Sequence, residues 1–400
     1  VICKLFWYNI AMIKRNITKE LKEAASEYPV VTIIGPRQSG KTTLAQMTFP
    51  KKPYCSLEDP DTRLMAENDP RGFLDNFPNG CVLDEIQRAP HMLSYIQGIV
   101  DQTKKIGMYI LTGSHQPKLH EAVSQSLAGR TAILTLLPFS YKELKKYKTD
   151  WSAFELIYKG FFPRLHDKKL NLNRFFNSYL QTYVERDVRM LINLKDLDRF
   201  QRFLVLLAGR IGSIVNYASL SNDVGVSATT IKTWIGVLKS SYILFELPPF
   251  FENIRKRVVK SPKIYFMDTG LASFLLGIRS EQQAQRDPLC GALYENLILI
   301  EILKLYYNKG KRPEMYFYRD SIGNEVDCII RQCRKLQPIE IKSGSTFTAD
   351  YIKGIKKFQK EAGKNVLPGK VFYNGKTSFM TNGIKISNFL IHLPISVFSD

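Results

Sequence analysis

Long apolar runs are missing from this 400-residue sequence. None reaches the roughly 18 residues that a membrane-spanning helix needs, so no membrane partner is expected. The opening stretch, 1–12, is apolar but short, and it has no signal-type cleavage site. It begins with Val1, and Met12 is the expected native start, with 1–11 an upstream reading frame or a disordered leader. Cysteine is sparse: Cys3, Cys55, Cys81, Cys290, Cys328 and Cys333 are all there are. None forms a C-x-x-C pair, and Cys328 and Cys333 lack histidines at zinc spacing. Cys81 and Cys328 sit inside apolar runs of the buried-strand kind, and scattered buried thiols suit a reducing cytoplasm. Solenoid repeats and low-complexity tracts are absent too. What is left is an ordinary globular composition, 44% hydrophobic and 24% charged, long enough for two to four domains.

The charge is one-sided. Lysine and arginine outnumber the acids by 57 to 37, a formal +20, spread along the chain with its peak in the middle third. A basic surface of this kind favours polyanions such as double-stranded DNA, although solubility alone accounts for it equally well.

The most informative stretch lies near the N-terminus. An amphipathic helix is expected over 12–27, with Ile13, Ile17, Leu21 and Ala24 on one side. The β-branched run from Pro29 to Ile34 then reads as a buried parallel strand. Directly after it come Gly35, Pro36, Arg37, Gln38, Ser39, Gly40, Lys41 and Thr42, with Thr43 opening a helix. This fits G-x-x-x-x-G-K-[ST] at every fixed position, and strand, glycine loop, helix is the context the motif requires. Glycines let the loop curl until its N–H groups face phosphates, and the following helix adds its N-terminal dipole. Lys41 would reach the β- and γ-phosphates of ATP, and Thr42 would offer its hydroxyl to Mg²⁺.

A second apolar run, Cys81 to Leu83, ends in Asp84 and Glu85. Asp84 is the candidate for the Mg²⁺ shell, and Glu85 for the base that deprotonates the attacking water. A third run, Met108 to Thr112, ends in Gly113-Ser114. Ser114 can sense the γ-phosphate there or be a plain turn serine. Arg130 has the same two readings, a phosphate-sensing arginine or a surface ion pair.

These pieces occur in one order: the loop 35–42, Ser56-Leu-Glu-Asp-Pro60, Leu83-Asp-Glu-Ile-Gln-Arg-Ala-Pro90, Leu111-Thr-Gly-Ser114, Ser126-Leu-Ala-Gly-Arg130 and Leu137-Pro-Phe-Ser140. In that order the sequence resembles the bacterial and archaeal AAA-type P-loop ATPases fused to a C-terminal domain of unknown function. The resemblance covers 12–400. It implies an α/β fold, with a P-loop NTPase sheet of about five parallel strands in which the two Walker strands are adjacent. It also implies ATP hydrolysis, and it leaves a protein partner or a homo-oligomer open.

Domain boundaries are expected at 12–150 for the ATPase, 151–210 for a helical lid, 211–280 for a winged helix and 281–400 for the C-terminal domain. In the lid, Phe175, Phe176, Tyr179, Leu180, Tyr183 and Val184 recur at helical spacing. Glu185, Arg186, Asp187 and Arg189 between them suit a solvated face. Residues 219–234 suggest a helix, a turn at Gly225 and a second helix capped by Ser227. Thr229, Thr230, Lys232 and Thr233 would face outward, and Ile231, Trp234, Ile235 and Leu238 inward. Arg255, Arg257 and Lys260 would lie in the wing. DNA contact and plain domain packing are both open readings.

The C-terminal stretch reads as helix (291–307, with Glu295), three strands, a basic helix over 349–362 and a further strand. Asp327 on one strand and Glu340-x-Lys342 on the next resemble the PD-(D/E)xK nuclease superfamily. In that reading Glu295, Asp327 and Glu340 hold Mg²⁺ and Lys342 orients a water. The alternative is a nuclease fold kept for binding, with the acids in ordinary ion pairs.

Overall fold

The computed structural model describes residues 13–114, 122–123, 125–168, 170–184, 196–250 and 261–392. Residues 1–11, Glu185, Arg186, Asp187 and Arg189, and the basic residues Arg255, Arg257 and Lys260 lie outside them. Among the described residues no helix is long and apolar enough to cross a membrane.

The N-terminal sheet is built from five short strands: β1 Val30–Gly35, β2 Tyr54–Ser56, β3 Val82–Asp84, β4 Tyr109–Ser114 and β5 Thr131–Thr135. Their order is β2-β3-β4-β1-β5, and every pairing is parallel. All six residues of β1 are buried, as a central strand with both faces covered demands. This is the parallel P-loop NTPase-like core that the sequence led us to expect, with one correction. The two Walker strands are not adjacent, because β4 lies between β3 and β1. Since parallel strands share one direction, Gly35, Asp84 and Ser114 all reach the same edge of the sheet. Ligands of open parallel sheets bind beyond that carboxyl edge.

The first helix is shorter than expected, Thr18–Glu27, but Ile17, Leu21 and Ala24 are buried against the sheet as foreseen. Ahead of it, Arg15 turns inward.

The middle of the chain is helical. Helices Ala153–Lys159, Pro163–Asp167 and Leu172–Tyr179 bury Phe175, Phe176 and Tyr179. Further on, Leu197–Ala208, Tyr217–Val224 and Ala228–Ser240 form a three-helix unit. Gly225 ends the second of these at φ +78°, and Ser227 caps the third through the Thr230 N–H. Ile231, Trp234, Ile235 and Leu238 are buried, Thr229, Lys232 and Thr233 are exposed, and Thr230 is half-buried. Two strands follow, β6 Leu244–Leu247 and β7 Lys263–Phe266, paired antiparallel.

Helix Cys290–Tyr307 then runs through the interior. It is apolar nearly all round, and a helix of that kind is buried on all sides. Behind it stands a second sheet of β8 Glu314–Arg319, β9 Glu325–Gln332, β10 Lys335–Lys342, β11 Lys370–Tyr373, β12 Phe379–Thr381 and β13 Ile384–Ser387. Its order is β12-β13-β11-β10-β9-β8, and helix Lys353–Ala362 connects β10 to β11. One hydrophobic core extends from Phe139 through the middle helices to Phe372 and Phe389, so the central helix is shared property.

Glu301 and Lys304 of that helix are both buried and pair at 2.8 Å. The Lys304 ammonium also donates to the Phe139 carbonyl at 2.9 Å and lies 3.7 Å from the centre of the Phe161 ring. The Tyr141 N–H donates to Glu301 at 2.7 Å. The end of the first module is thereby fixed to the central helix by charge-assisted hydrogen bonds.

Candidate functional site

Gly35 ends β1 at φ +151°, and a Cβ there would stand 2.1 Å from the Leu136 carbonyl oxygen. Only glycine lets β5's continuation pass so close. Gly40, at φ +89°, precedes helix Lys41–Thr48. Between them the loop folds over its own lysine. Lys41 is buried, and its ammonium donates to the carbonyls of Gly35 at 3.2 Å and Pro36 at 2.8 Å. Burial pushes its pKa down to about 8, against the pull of Glu85 and Asp84. Gln38 holds φ +61°, and both its Oε1 and the Ser39 Oγ are buried without a hydrogen-bond partner. Pro36 and Arg37 complete the loop, and Thr43 is exposed on the first turn of the helix.

Asp84 is the junction of the site. Its carboxylate accepts from the Thr42 hydroxyl at 2.9 and 3.1 Å, from the Tyr54 hydroxyl at 2.8 Å and from the Thr112 hydroxyl. Both Walker elements thus meet across β4, whose Thr112 fills the gap. Burial, together with Asp84, holds the Tyr54 phenol well above its usual range.

Glu85 follows in the left-handed region, at φ +59°, and starts a 3₁₀ turn over Ile86–Arg88. That turn brings Gln87 back over the site. Its Nε2 donates to the Glu85 carboxylate and, at 2.9 Å, to Ser114 Oγ. Ser114 is buried at the end of β4, the strand that lies between the two Walker strands.

Arg130 is elsewhere. It pairs with Asp101 through two contacts of 2.6 and 2.9 Å, and it directly precedes Thr131, which aligns with Val30 at the start of β1. Five residues of strand, roughly 17 Å, separate it from the loop. The surface ion pair is therefore the right reading, and the phosphate-sensing one is withdrawn.

Four functional neighbours escaped sequence reasoning: Arg15, Tyr54, Gln87 and Thr112. Gln87 and Thr112 lay inside quoted motifs, two positions from Glu85 and Ser114. Tyr54 gave no signal. Arg15 donates to the Ser39 carbonyl at 2.8 Å, to the Leu137 carbonyl at 2.7 Å and to Glu143 at 3.1 Å. It braces the outside of the loop.

The C-terminal acids are close together but differently used. On β10, Glu340 and Lys342 face the same way and pair at 2.6 Å. The Lys342 ammonium stands 3.4 Å from Asp327, which also accepts from the Ile341 N–H at 2.8 Å. Glu295 looks to the middle module instead. It accepts from the Tyr265 hydroxyl at 2.5 Å and pairs with Lys263 at 3.2 Å, and Lys263 pairs with Glu325 at 2.5 Å. Burial and Asp327 push Glu295 up to about 7 against the opposing Lys263, and Glu340 up to about 8 against Lys342. Burial works against both ammonium groups, and the surrounding acids overcome it and hold them above the usual lysine range.

Glu340 Oε2 is buried and unpartnered, which is the one feature that suits a cation. Against it, no three His, Cys, Asp or Glu side chains among the described residues stand close enough to hold a metal ion. The expected Mg²⁺ set of Glu295, Asp327 and Glu340 is not assembled. Lys263 and Lys342 stand among these acids and supply positive charge there. As placed, these residues fit ion pairs better than a metal.

Comparison with known proteins divides the chain into three matched parts. The AAA domain family matches residues 27–145. Two domains of unknown function match behind it, DUF8612 over 150–282 and DUF4143 over 290–395. A solved structure titled the Walker-type ATPase PABY2304 of Pyrococcus abyssi overlaps 68% of this chain and 99% of its own, with 16% identity and a TM-score of 0.41. Uncharacterized proteins of Mycobacterium tuberculosis and Mycobacterium bovis are each 30% identical over 338 residues, 83% of this chain and 74% of theirs. The chain belongs to one family with these mycobacterial proteins, and its AAA-type P-loop domain stands ahead of DUF8612 and DUF4143.

Proposed function

We propose that the protein binds ATP with Mg²⁺ in the loop Gly35–Thr43 and hydrolyses it. The observation that carries this is the meeting of Thr42, Asp84, Glu85 and Ser114 at one sheet edge. The residues present suit the ligand. Gly35 and Gly40 leave room for close backbone approach, and the Ser39 and Gln38 side chains keep unused polar atoms in the loop. Lys41 would exchange its two carbonyl partners for phosphate oxygens, which compensate its charge better. Thr42 and Asp84 would hold Mg²⁺, which supplies charge neutralisation for the phosphates. Glu85 would take the proton of the attacking water.

The proposed modules are the ATPase over 12–150, a helical lid over 151–210, a winged helix over 211–280 and a PD-(D/E)xK-like domain over 281–400. In this reading the nucleotide state controls a DNA-binding C-terminal half. The +20 charge and the exposed Thr229, Lys232 and Thr233 on helix Ala228–Ser240 support contact with double-stranded DNA. A second reading has its own observation. Because Lys263 and Lys342 occupy the acid cluster, the nuclease-like domain suits a non-catalytic role, in a slow ATPase switch that acts through a protein partner.

Mg²⁺-dependent ATP turnover, with and without double-stranded DNA, tests both. Stimulation by DNA supports the first reading; indifference to DNA favours the second. Lys41→Ala with unchanged nucleotide affinity, or Glu85→Gln with unchanged turnover, would sink the site itself.

A further inference from the structure

We infer that Gln87 is the positioning residue of ATP hydrolysis, holding Glu85 with one end of its amide and orienting the attacking water with the other. This rests on the proposed ATPase reading and goes beyond it, because it assigns a residue outside both Walker motifs.

Three observations converge on it. The Gln87 Nε2 donates at once to the Glu85 carboxylate and to Ser114 Oγ, so it ties the candidate base to the end of β4. Glu85 sits in the left-handed region, which few glutamates adopt, and that turn is what directs Gln87 back over its neighbour. Finally, Gln87 Oε1 is buried and has no hydrogen-bond partner. A buried amide oxygen left unpaired forfeits the hydrogen bond it would make in water. Such an atom calls for a donor that the protein itself does not provide.

The reaction brings one. The attacking water has two O–H bonds. One proton goes to the Glu85 carboxylate as the water oxygen bonds to the γ-phosphorus. The bond from that phosphorus to the β,γ-bridging oxygen breaks, leaving ADP and phosphate. The second O–H must point somewhere while this happens, and Gln87 Oε1 accepts it. Ser114 closes the arrangement by fixing the amide's orientation. Replacing the amide therefore loosens the base and the nucleophile together, without removing any group expected to touch the phosphates.

The test is steady-state ATP turnover and fluorescent-nucleotide binding by the full chain, comparing Gln87→Ala and Gln87→Met with Glu85→Gln. The expected result is a kcat lower by roughly 10- to 100-fold in both Gln87 variants. Nucleotide affinity should stay within about twofold of the parent, which also reports that the site is folded. Parental turnover in both variants overturns the proposal. So does a loss of turnover matched by an equal loss of affinity, which would make Gln87 part of the site's architecture only. Full activity in Glu85→Gln instead removes the base itself, and that result is distinguishable because it strikes the ATPase reading first.

Discussion

Replacing Lys304 by methionine should weaken the joint between the AAA-type domain and the rest of the chain. Lys304 is 2% exposed and Glu301 1%, so their 2.8 Å pair is shielded from water. Methionine keeps the length of the side chain but removes three things together. These are the ion pair, the hydrogen bond to the Phe139 carbonyl and the ammonium over the Phe161 ring. Glu301 is then left buried with only the Tyr141 N–H to accept from. Stripping one partner from a buried pair costs about 3–5 kcal/mol. The double variant Lys304→Met/Glu301→Gln should recover much of this, since the amide keeps an acceptor for Tyr141 and carries no charge. A coupling of about 2 kcal/mol or more is expected from the cycle. The penalty also has a pH sign. Burial raises the Glu301 pKa while Lys304 opposes that rise. Without the lysine the carboxyl retains its proton to higher pH, and a neutral carboxyl is cheaper to bury. Lys304→Met should thus be milder at pH 5 than at pH 8. Urea unfolding followed by fluorescence of Trp151 and Trp234, with amide exchange over 137–145, would measure it. A Lys304→Met cost below about 1 kcal/mol, or strictly additive single effects, would refute the reasoning.

Other outcomes can be checked alongside. Lys41 in the free site loses its proton near pH 8, and bound phosphates would hold that proton to higher pH. ATP affinity should therefore fall as pH rises past about 8, with proton uptake on binding seen by calorimetry in two buffers of different ionisation heat. Glu295 and Glu340 have folded values raised to about 7 and about 8 from 4.5, so the folded chain holds more protons than the unfolded one in between. Their contribution to stability is present below about pH 4.5 and is lost as pH rises through 7 to 8. Urea midpoints at pH 6 and 8.5 should show that decline, and Glu340→Gln should flatten it. Replacing Arg255, Arg257 and Lys260 together by alanine should lower DNA affinity and reduce the slope of log K against log salt by up to about 3. An unchanged slope would favour a packing role for helices Tyr217–Val224 and Ala228–Ser240.

How much was legible in advance depended on how local the signal was. The loop 35–42 and the pair Asp84–Glu85 are set by backbone turns and strand ends, and a few adjacent residues encode them. The buried faces around Ile231 and Trp234 follow from helical periodicity alone. Strand order was another matter. That β4 separates β3 from β1 depends on how crossovers lay the chain across the sheet, and nothing in the strands' own residues records it. Arg130 misled because its motif context resembled a site, whereas its place at the opposite edge is a property of β5's register. In the C-terminal domain, the i, i+2 spacing of Glu340 and Lys342 on one strand is enough to put both on one face. It could not show Lys263 arriving from a strand 32 residues earlier in the chain to claim Glu295.

Arg15 carries a lesson about where a domain begins. The AAA family match starts at residue 27, and a fragment cut there would look complete by its motifs. Yet the guanidinium twelve positions upstream is buried between the Ser39 carbonyl, the Leu137 carbonyl and Glu143. A fragment without it leaves an interior carboxylate with no counter-charge and the phosphate loop without its outer brace. The smallest piece able to hold nucleotide firmly is therefore larger than the piece that heredity marks as the domain. Engineers who transplant this AAA-type domain should carry the segment from Ile13 onward, and expect a motif-perfect but loosened loop if they do not.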